Sequence, residues 1–425
     1  MNNTKETRDI TLGEITSLSQ GLAINAKTKH LLKDTGIPLL RIKDLINNQV
    51  EQYIDHKNAP EKCIVKKSDI IYTRTGQVGL VFNDREGVLH NNCFKVIPNE
   101  TFVNKNFLYW ILSQDKIRNH ANNIASGSVQ KDLNHSSFAS IPIKLPSLEY
   151  QQKAVKILNQ LKKKIELNQK MNETLEEIAK KLFKSWFIEF DPVRAKAEER
   201  PIGLSKKIAD LFPDSFEDSE LGEIPKGWHE GNIEDIAEKI SDKYKREEDW
   251  SNEKLIDLSR MPSNSIALNS YGKGEELSTS VCKFQKYDFL FGSIRPYFYK
   301  AGVCPFDGVS NTSVFILRAK NDFDREFLYF YSSSKKTFER SVQYSDGTKM
   351  PIIKWNDFKE FKFALPNKEI RKNFSSKTRP LIDKIILNIE EQENLSKLRD
   401  LLLPKLMAGE IKIPEIKEIA EEANI

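Results

Sequence analysis

The chain is written twice. "KKSDIIYTRTG" (66–76) resembles "QKYDFLFGSIR" (285–295), "GVLHNNCFKVIP" (87–98) resembles "GVSNTSVFILRA" (308–319), and "NKNFLYWIL" (104–112) resembles "DREFLYFYS" (324–332). "IPIKLPSLEY" (141–150) pairs with "FKFALPNKEI" (361–370), and "KIELNQKMNETLEEIAKKLF" (164–183) with "KIILNIEEQENLSKLRDLLL" (384–403). The offset runs from 219 (66 to 285) to 221 (87 to 308), in unbroken order. Each match is weak alone, but five collinear ones make a duplication, and the drift marks small loop insertions. Such a chain folds as two similar units, residues 8–187 and 228–407, with a join between them. The join is "LFPDSFEDSELGEIPKGW", Leu211 to Trp228. Its prolines and glycines, and its lack of any helical or alternating apolar period, mark an ordered connector rather than a core element.

Each repeat has two parts. Short β-rich runs (Asp69–Thr73, Phe94–Ile97; Asp288–Phe291, Ser313–Leu317) and a helix (Asn106–Gln114; Arg325–Ser333) predict an α/β globule with many loops. A long helix follows each globule. Ser147 and Asn367 suit its N-cap, and Glu149 and Glu369 suit its positive end. At 1.5 Å per residue, a 40-residue helix is about 60 Å long. Leu158, Leu161, Ile165, Leu175, Leu182 and Trp186 keep a 3-4 spacing, echoed by Leu381, Ile385, Leu395, Leu402 and Leu406. Length and repetition favour a coiled coil over ordinary core packing. Pro404 should kink or loosen the last turn of the second helix, and Gly409 should stop it.

Composition narrows the function. Hydrophobic residues are 39% and charged residues 30%, which suits folded cores. No run of about 18 apolar residues predicts a membrane span, and "MNNTKETRDI" lacks a signal-peptide pattern, so a cytoplasmic protein is expected. Cys63, Cys93, Cys282 and Cys304 form no CxxC pair and the six histidines are scattered, so reduced thiols are expected and no metal site. The net charge of +5 is small, so a nucleic-acid surface must be a local patch. There is no GxxxxGK[ST] loop, GxGxxG turn or HExxH helix, and Asp191–Pro192 lacks the aromatic setting of an amino-methyltransferase site. Two globules on two long helices suit a positioning device better than a catalyst.

"LFKSWFIEFDPVRAK…LFPDSFEDSELGEIPKGW" resembles the central region of specificity subunits of type I restriction–modification enzymes, and "LRDLLLPKLMAGEI" resembles the end of their second helical region. The repeated "GSVQKDL…IPIKLP" layout resembles the ends of their target recognition domains. The resemblance implies an α/β fold with two globular target recognition domains, 1–146 and 228–366, separated by two long antiparallel helices, 147–190 and 367–408. A connector (191–227) and a tail (409–425) complete the chain. It also implies a non-catalytic subunit that reads a split, asymmetric sequence in double-stranded DNA. Two methyltransferase subunits and the restriction (motor–nuclease) subunits would dock on it, and S-adenosylmethionine, Mg2+ and ATP would belong to those partners. None of the partners' catalytic motifs is matched here, so no cofactor and no catalytic residue is assigned to this chain.

Base readout needs Arg for guanine and Asn or Gln for adenine, while Lys and Arg grip phosphates. Loops that follow strands supply the candidates. In the first repeat these are Arg74, Thr75 and Gln77, then Asn91 and Asn92, then Ser128, Gln130 and Lys131, with Lys27 and Lys29 as phosphate grips. Their counterparts are Arg295, Tyr297 and Lys300, then Asn311, then Thr348 and Lys349, with Lys243, Lys245 and Arg246 as grips. The competing reading is structural: either arginine could pair with a nearby carboxylate, and Tyr297 could be strand packing.

The helices carry a polar centre. Pairing them antiparallel with Trp186 opposite Phe374, Leu175 opposite Ile385 and Leu158 opposite Leu402 brings Asn172 to Asn388 and Asn168 to Gln392. Leu161 opposite Arg399 is the poorest layer of that register. A one-heptad slip would set these amides against isoleucine and leucine and shift the readers by about 10 Å. Asn168, Asn172, Asn388 and Gln392 are therefore expected to hold the register.

Two other functions remain. A structural adaptor without DNA readout would show no salt-dependent DNA affinity, and an enzyme with a cryptic methyltransferase or nuclease would retain a bound cofactor. Exchanging residues 8–146 for those of another member of the resembled family should change one half of the recognised sequence only. Sequencing of methylated host DNA reads the result, and a change in both halves would sink the modular reading.

Overall fold

The computed structural model describes residues 7–243, 249–277 and 281–411. It parts into two units, residues 1–164 with 394–425, and residues 165–393. Each holds one globule, the N-terminal part of one long helix and the C-terminal part of the other. The helices are Leu148–Phe187 and Lys368–Met407, 40 residues each.

In the first unit, an antiparallel sheet runs in the order Thr16–Gln20, Cys93–Pro98, Ile70–Thr73, Val81–Phe82. Ile70, Ile71, Tyr72 and Thr73 are all buried, as befits an inner strand covered on both faces. The second unit repeats the order with Ala237–Ile240, Val314–Ala319, Phe289–Gly292 and Ala301–Val303. The cores match ring for ring. Phe138 packs against Tyr72 and Phe94 at 5.1 and 6.1 Å, and Phe358 packs against Phe291 and Phe315 at 4.5 and 5.7 Å. The four rings at the sheet positions come from the matched segments, so the duplication is visible in packing as well as in spelling.

Each unit also has a mixed sheet. In the first unit Ile37–Leu40 runs parallel to Gly87–Leu89; in the second Lys254–Leu255 runs parallel to Gly308–Asn311. Gly87 and Gly308 are equivalent. A Cβ would meet the Pro38 carbonyl at 2.5 Å in one and the Lys254 carbonyl at 2.3 Å in the other, so only glycine lets these strands approach. The helices expected at 106–114 and 325–333 lie at Lys105–Leu112 and Arg325–Ser332.

The long helices begin where capping chemistry starts them. Ser147 Oγ accepts from the Tyr150 N–H at 3.4 Å, and Asn367 Oδ1 accepts from the Ile370 N–H at 3.0 Å. The second helix ends in a Schellman turn: Gly409 has φ 67°, and the Glu410 N–H donates to the Lys405 carbonyl at 3.0 Å. Pro404 does not end it; the helix continues to Met407. A proline this close to the terminus removes a single ladder bond, and its ring is exposed to solvent.

The connector departs from expectation. It forms a hairpin, Phe216–Ser219 with Gly222–Pro225, and it does enter the core: Phe212, Ile224 and Trp228 are buried with the second unit. The Trp186 ring meets Phe212 at 5.1 Å. Irregularly spaced aromatics that settle on a finished surface leave no period to read in the sequence.

Within the second unit the helices run antiparallel. Phe374 near the start of one packs against Trp186 and Phe187 at the end of the other, at 5.9 and 4.9 Å. Farther along, buried Asn388 Nδ2 donates to buried Asn172 Oδ1 at 2.8 Å. Asn168 pairs differently from the expected Gln392: its Nδ2 donates to Glu391 Oε2 at 2.8 Å, because the carboxylate is the stronger acceptor. Gln392 Nε2 is buried without a hydrogen bond. In the first unit Leu158, Leu402 and Leu406 share one core.

Asn172→Leu should destabilise the protein by about 1–3 kcal/mol, since it strands the Asn388 amide in the interior. Adding Asn388→Leu should recover most of that loss. Denaturant unfolding of the two single variants and the double variant measures it, and an additive double variant would show that the pair is not coupled.

Candidate nucleic-acid interface

In the first unit three loops are laced together through the backbone. The Arg74 and Thr75 N–H groups both donate to the Asn92 carbonyl, at 2.8 and 3.3 Å. Gly76 N–H donates to the Lys131 carbonyl at 2.7 Å, and Leu133 N–H to the Arg74 carbonyl at 2.9 Å. A fourth segment joins them: Leu22 N–H donates to Leu89 at 2.7 Å and Asn91 N–H to Leu22 at 3.0 Å. The folding thus gathers the candidate groups 74–77, 91–92 and 128–131, and ties the segment that leads to 27–29 to the 89–91 strand end.

The side chains then divide. Arg74 is turned inward: Nη2 meets Asp132 Oδ2 at 2.5 Å, Nε donates to the Leu133 carbonyl at 3.1 Å, and the guanidinium lies 5.2 Å from the Phe94 ring centre. Thr75 Oγ1 donates to Asp132 Oδ1 at 2.6 Å. Lys131 Nζ donates to the Asn122 carbonyl at 2.6 Å, in the last turn of the helix Asp115–Ile124, where backbone acceptors lack helical partners. These three residues hold the loops together. Lys27, Lys29, Gln77, Ser128 and Gln130 are exposed, and among the described residues their side chains have no hydrogen bond or ion pair. Asn91 and Asn92 are half-buried, and among the described residues their side-chain amides have no hydrogen bond. His90 supports their turn; burial, with Arg41 nearby, lowers its pKa, and the neutral ring accepts from the Asn92 N–H at 3.4 Å.

The second unit uses the same lacing. Ser293 N–H donates to the Ser313 carbonyl at 3.0 Å, Arg295 N–H to Pro351 at 2.7 Å, and Ile353 N–H to Ser293 at 3.0 Å. These bonds correct the pairing of the two arginines. Ser293 stands where Arg74 stands, and Arg295 stands where Gly76 stands. Gly76 has φ 77° and Arg295 φ 50°, so an arginine occupies a left-handed position suited to glycine. Its guanidinium is exposed, with no hydrogen bond or ion pair among the described residues. Thr348, Lys349 and Lys243 are exposed as well, and Tyr297 is 44% exposed. Lys300 is committed to the Leu258 carbonyl, and Asn311 Oδ1 accepts from Ser313. Asn311 is equivalent to His90 rather than to Asn91, since Ser313 takes the place of Asn92. Lys245 and Arg246 lie outside the described residues.

Two exposed residues were not singled out from sequence. Val129 at the tip of the 126–132 loop is 100% exposed, and Phe298 beside Tyr297 is 46% exposed. The run "PYFY" between two strands, with no alternation, was the available signal for Phe298. This edge offers hydrogen-bonding groups, cations and apolar tips. The four thiols are buried, and burial pushes Cys93 up to about 12, so that sulfur stays protonated. Among the described residues there is no cluster of metal-binding side chains and no helix long and apolar enough to cross a membrane.

Comparison with known proteins agrees with the duplication. Residues 4–177 and 225–397 each match the family described as type I restriction modification DNA specificity domain. The chain is 30% identical over 402 residues to the type I restriction enzyme MjaIX specificity subunit of Methanocaldococcus jannaschii, covering 89% of this chain and 88% of that one. It is 26% identical to the HindI specificity subunit of Haemophilus influenzae, covering 95% and 99%. A crystal structure of a type I restriction–modification system S subunit from M. genitalium shares the fold, with TM-score 0.54 and 18% identity over 96% of this chain and 97% of that one. With a family match across both repeats and a relative at this identity along most of its length, the chain belongs to the type I restriction–modification specificity subunits.

Proposed function

We propose that this chain is the non-catalytic reader of its complex, in which each globule reads one half of a split, asymmetric DNA sequence. The observation that carries the proposal is the repeated edge. One backbone lacing is built twice, and the side chains it leaves free differ: Gln77, Gln130, Asn91 and Asn92 in one unit, Arg295, Thr348 and Lys349 in the other. Amides suit adenine and arginine suits guanine, so the two halves should differ. The long helices would space the halves and receive two methyltransferase subunits, with restriction subunits beyond. S-adenosylmethionine, Mg2+ and ATP would be held by those partners, and the chain would work in the cytoplasm. Methylation mapping of host DNA with and without the chain tests this reading. A split, non-palindromic sequence should be modified only when the chain is present.

The two arginines should fail differently. Arg295→Ala should cost about 1–3 kcal/mol of discrimination in one half-site with little change in folding. Equal weakening on random DNA would assign Arg295 to a phosphate instead. Arg74→Ala should act through the loop. Its loss and that of Asp132→Ala should be non-additive by roughly 0.5–3 kcal/mol in a denaturation cycle.

A further inference from the structure

The loop that replaces Arg74–Gly79 in the second unit is one residue longer. Thr73 N–H bonds to the Leu80 carbonyl in the first unit, seven positions on; Gly292 N–H bonds to the Lys300 carbonyl in the second, eight positions on. The extra length makes a short 3-10 turn, Pro296–Phe298, flanked by two residues in left-handed conformation, Arg295 (φ 50°) and Tyr299 (φ 54°). Neither is a glycine, so the turn is strained at both ends.

The strained turn is firmly held. Phe298 N–H donates to the Arg295 carbonyl at 3.0 Å and Tyr299 N–H to Pro296 at 2.9 Å. Asn264 N–H donates to the Tyr299 carbonyl at 2.9 Å, and the Tyr299 ring packs against Phe338 at 5.1 Å. Proline fixes a further backbone angle. This scaffold pushes two large rings outward. Tyr297 and Phe298 lie 4.7 Å apart, 44% and 46% exposed. At the matching place in the first unit Gln77 is polar and Val78 is 1% exposed, so the aromatic tip is not a by-product of the shared fold.

The neighbours say what the tip faces. Unpaired Arg295 adjoins it in the chain, and the adjacent loop, tied to it through the Arg295–Pro351 bond, carries exposed Thr348, Lys349 and Met350. Two exposed aromatic rings beside two exposed cations, Arg295 and Lys349, match a polyanion with an apolar interior, which is stacked DNA. Proteins that insert Phe or other apolar side chains between base steps part the bases locally and bend the duplex.

We propose that Tyr297 and Phe298 form a rigid wedge that enters the DNA at one base step of the half-site read by the second unit, parting the bases there. The hydrogen bonds and ring packing that keep Arg295 and Tyr299 in left-handed conformation hold the wedge outward before DNA arrives. The choice of sequence at that step then depends on how easily it unstacks, with no hydrogen bond to either base. This inference rests on the DNA-reading function proposed above.

The test uses the full chain in complex with its methyltransferase subunits and duplexes carrying the mapped recognition sequence. 2-Aminopurine, whose fluorescence rises on unstacking, replaces one base at a time. The second half-site is the one left unchanged when residues 8–146 are exchanged. Apart from the base that the methyltransferase itself extrudes for methylation, which is left out of the scan, a rise of several-fold is expected at one step of that half-site, lost in Phe298→Ala and Tyr297→Ala and kept in Phe298→Leu, which still fills the gap. Specific binding with no rise in the second half-site would overturn the wedge alone, as would a rise that persists in both alanine variants. A parent complex that binds the recognition sequence and a scrambled duplex equally would overturn the reading function and the wedge with it. Tight binding of the tip to a partner subunit, seen as protection of Phe298 from solvent in the DNA-free complex, would also overturn it.

Discussion

The carbonyl of Asn92, and of Ser313 in the second unit, is the acceptor on which both laced edges depend. Each holds the backbone of the residues that leave the central strand, and the 126–133 and 346–353 loops close over the same segment by main-chain bonds. A loop fixed by its backbone has no need of particular side chains at its tip. One scaffold can therefore present glutamine in one copy and arginine in the other without refolding. Where a side chain does enter the lacing, as Arg74, Thr75 and Lys131 do, it is withdrawn from the outer surface.

This division explains what could be read from the sequence. The duplication, the strands around Ile70–Thr73 and Phe289–Gly292, and the capped helices at Ser147 and Asn367 were legible, because periodicity and capping act over a few neighbouring residues. Which arginine faces outward was not legible. Arg74 is turned inward by Asp132, 58 residues along the chain, and no local rule names that partner. Likewise Phe212 and Trp228 looked like connector residues, because the surface they cover is assembled from Trp186, Phe187 and distant strands.

The helices answer to a different balance. In the second unit aromatic packing at Phe183, Trp186, Phe187 and Phe374 supplies the apolar hold, and buried amides sit farther along. Apolar layers alone tolerate a slip of one heptad, while amides that must find partners do not. Glu176 adds a polar tie of another kind. It accepts from the Ile266 N–H at 3.0 Å and from Ser265 Oγ at 2.8 Å, so the globule of that unit is pinned to its helix by a backbone contact.

The Tyr150 hydroxyl donates to the Ile411 carbonyl at 2.9 Å, a bond between residues 261 apart. Leu402, Leu403, Leu406 and Met407 fill the same first-unit core as Leu158 and Ala154. The unit whose sheet and loops are made first is therefore closed by residues synthesised much later, Leu402 to Ile411. At roughly 5–20 residues per second, the apolar stripe of the nascent first helix waits on the order of 10–50 seconds for its cover. During synthesis the part of that stripe which Leu402 to Met407 later cover faces water, while Asn159 and Gln151 already bond to the first globule. Its half-polar composition, with lysines at 153, 156, 162, 163 and 164, suits a helix that stays in water until Leu402 to Ile411 are made.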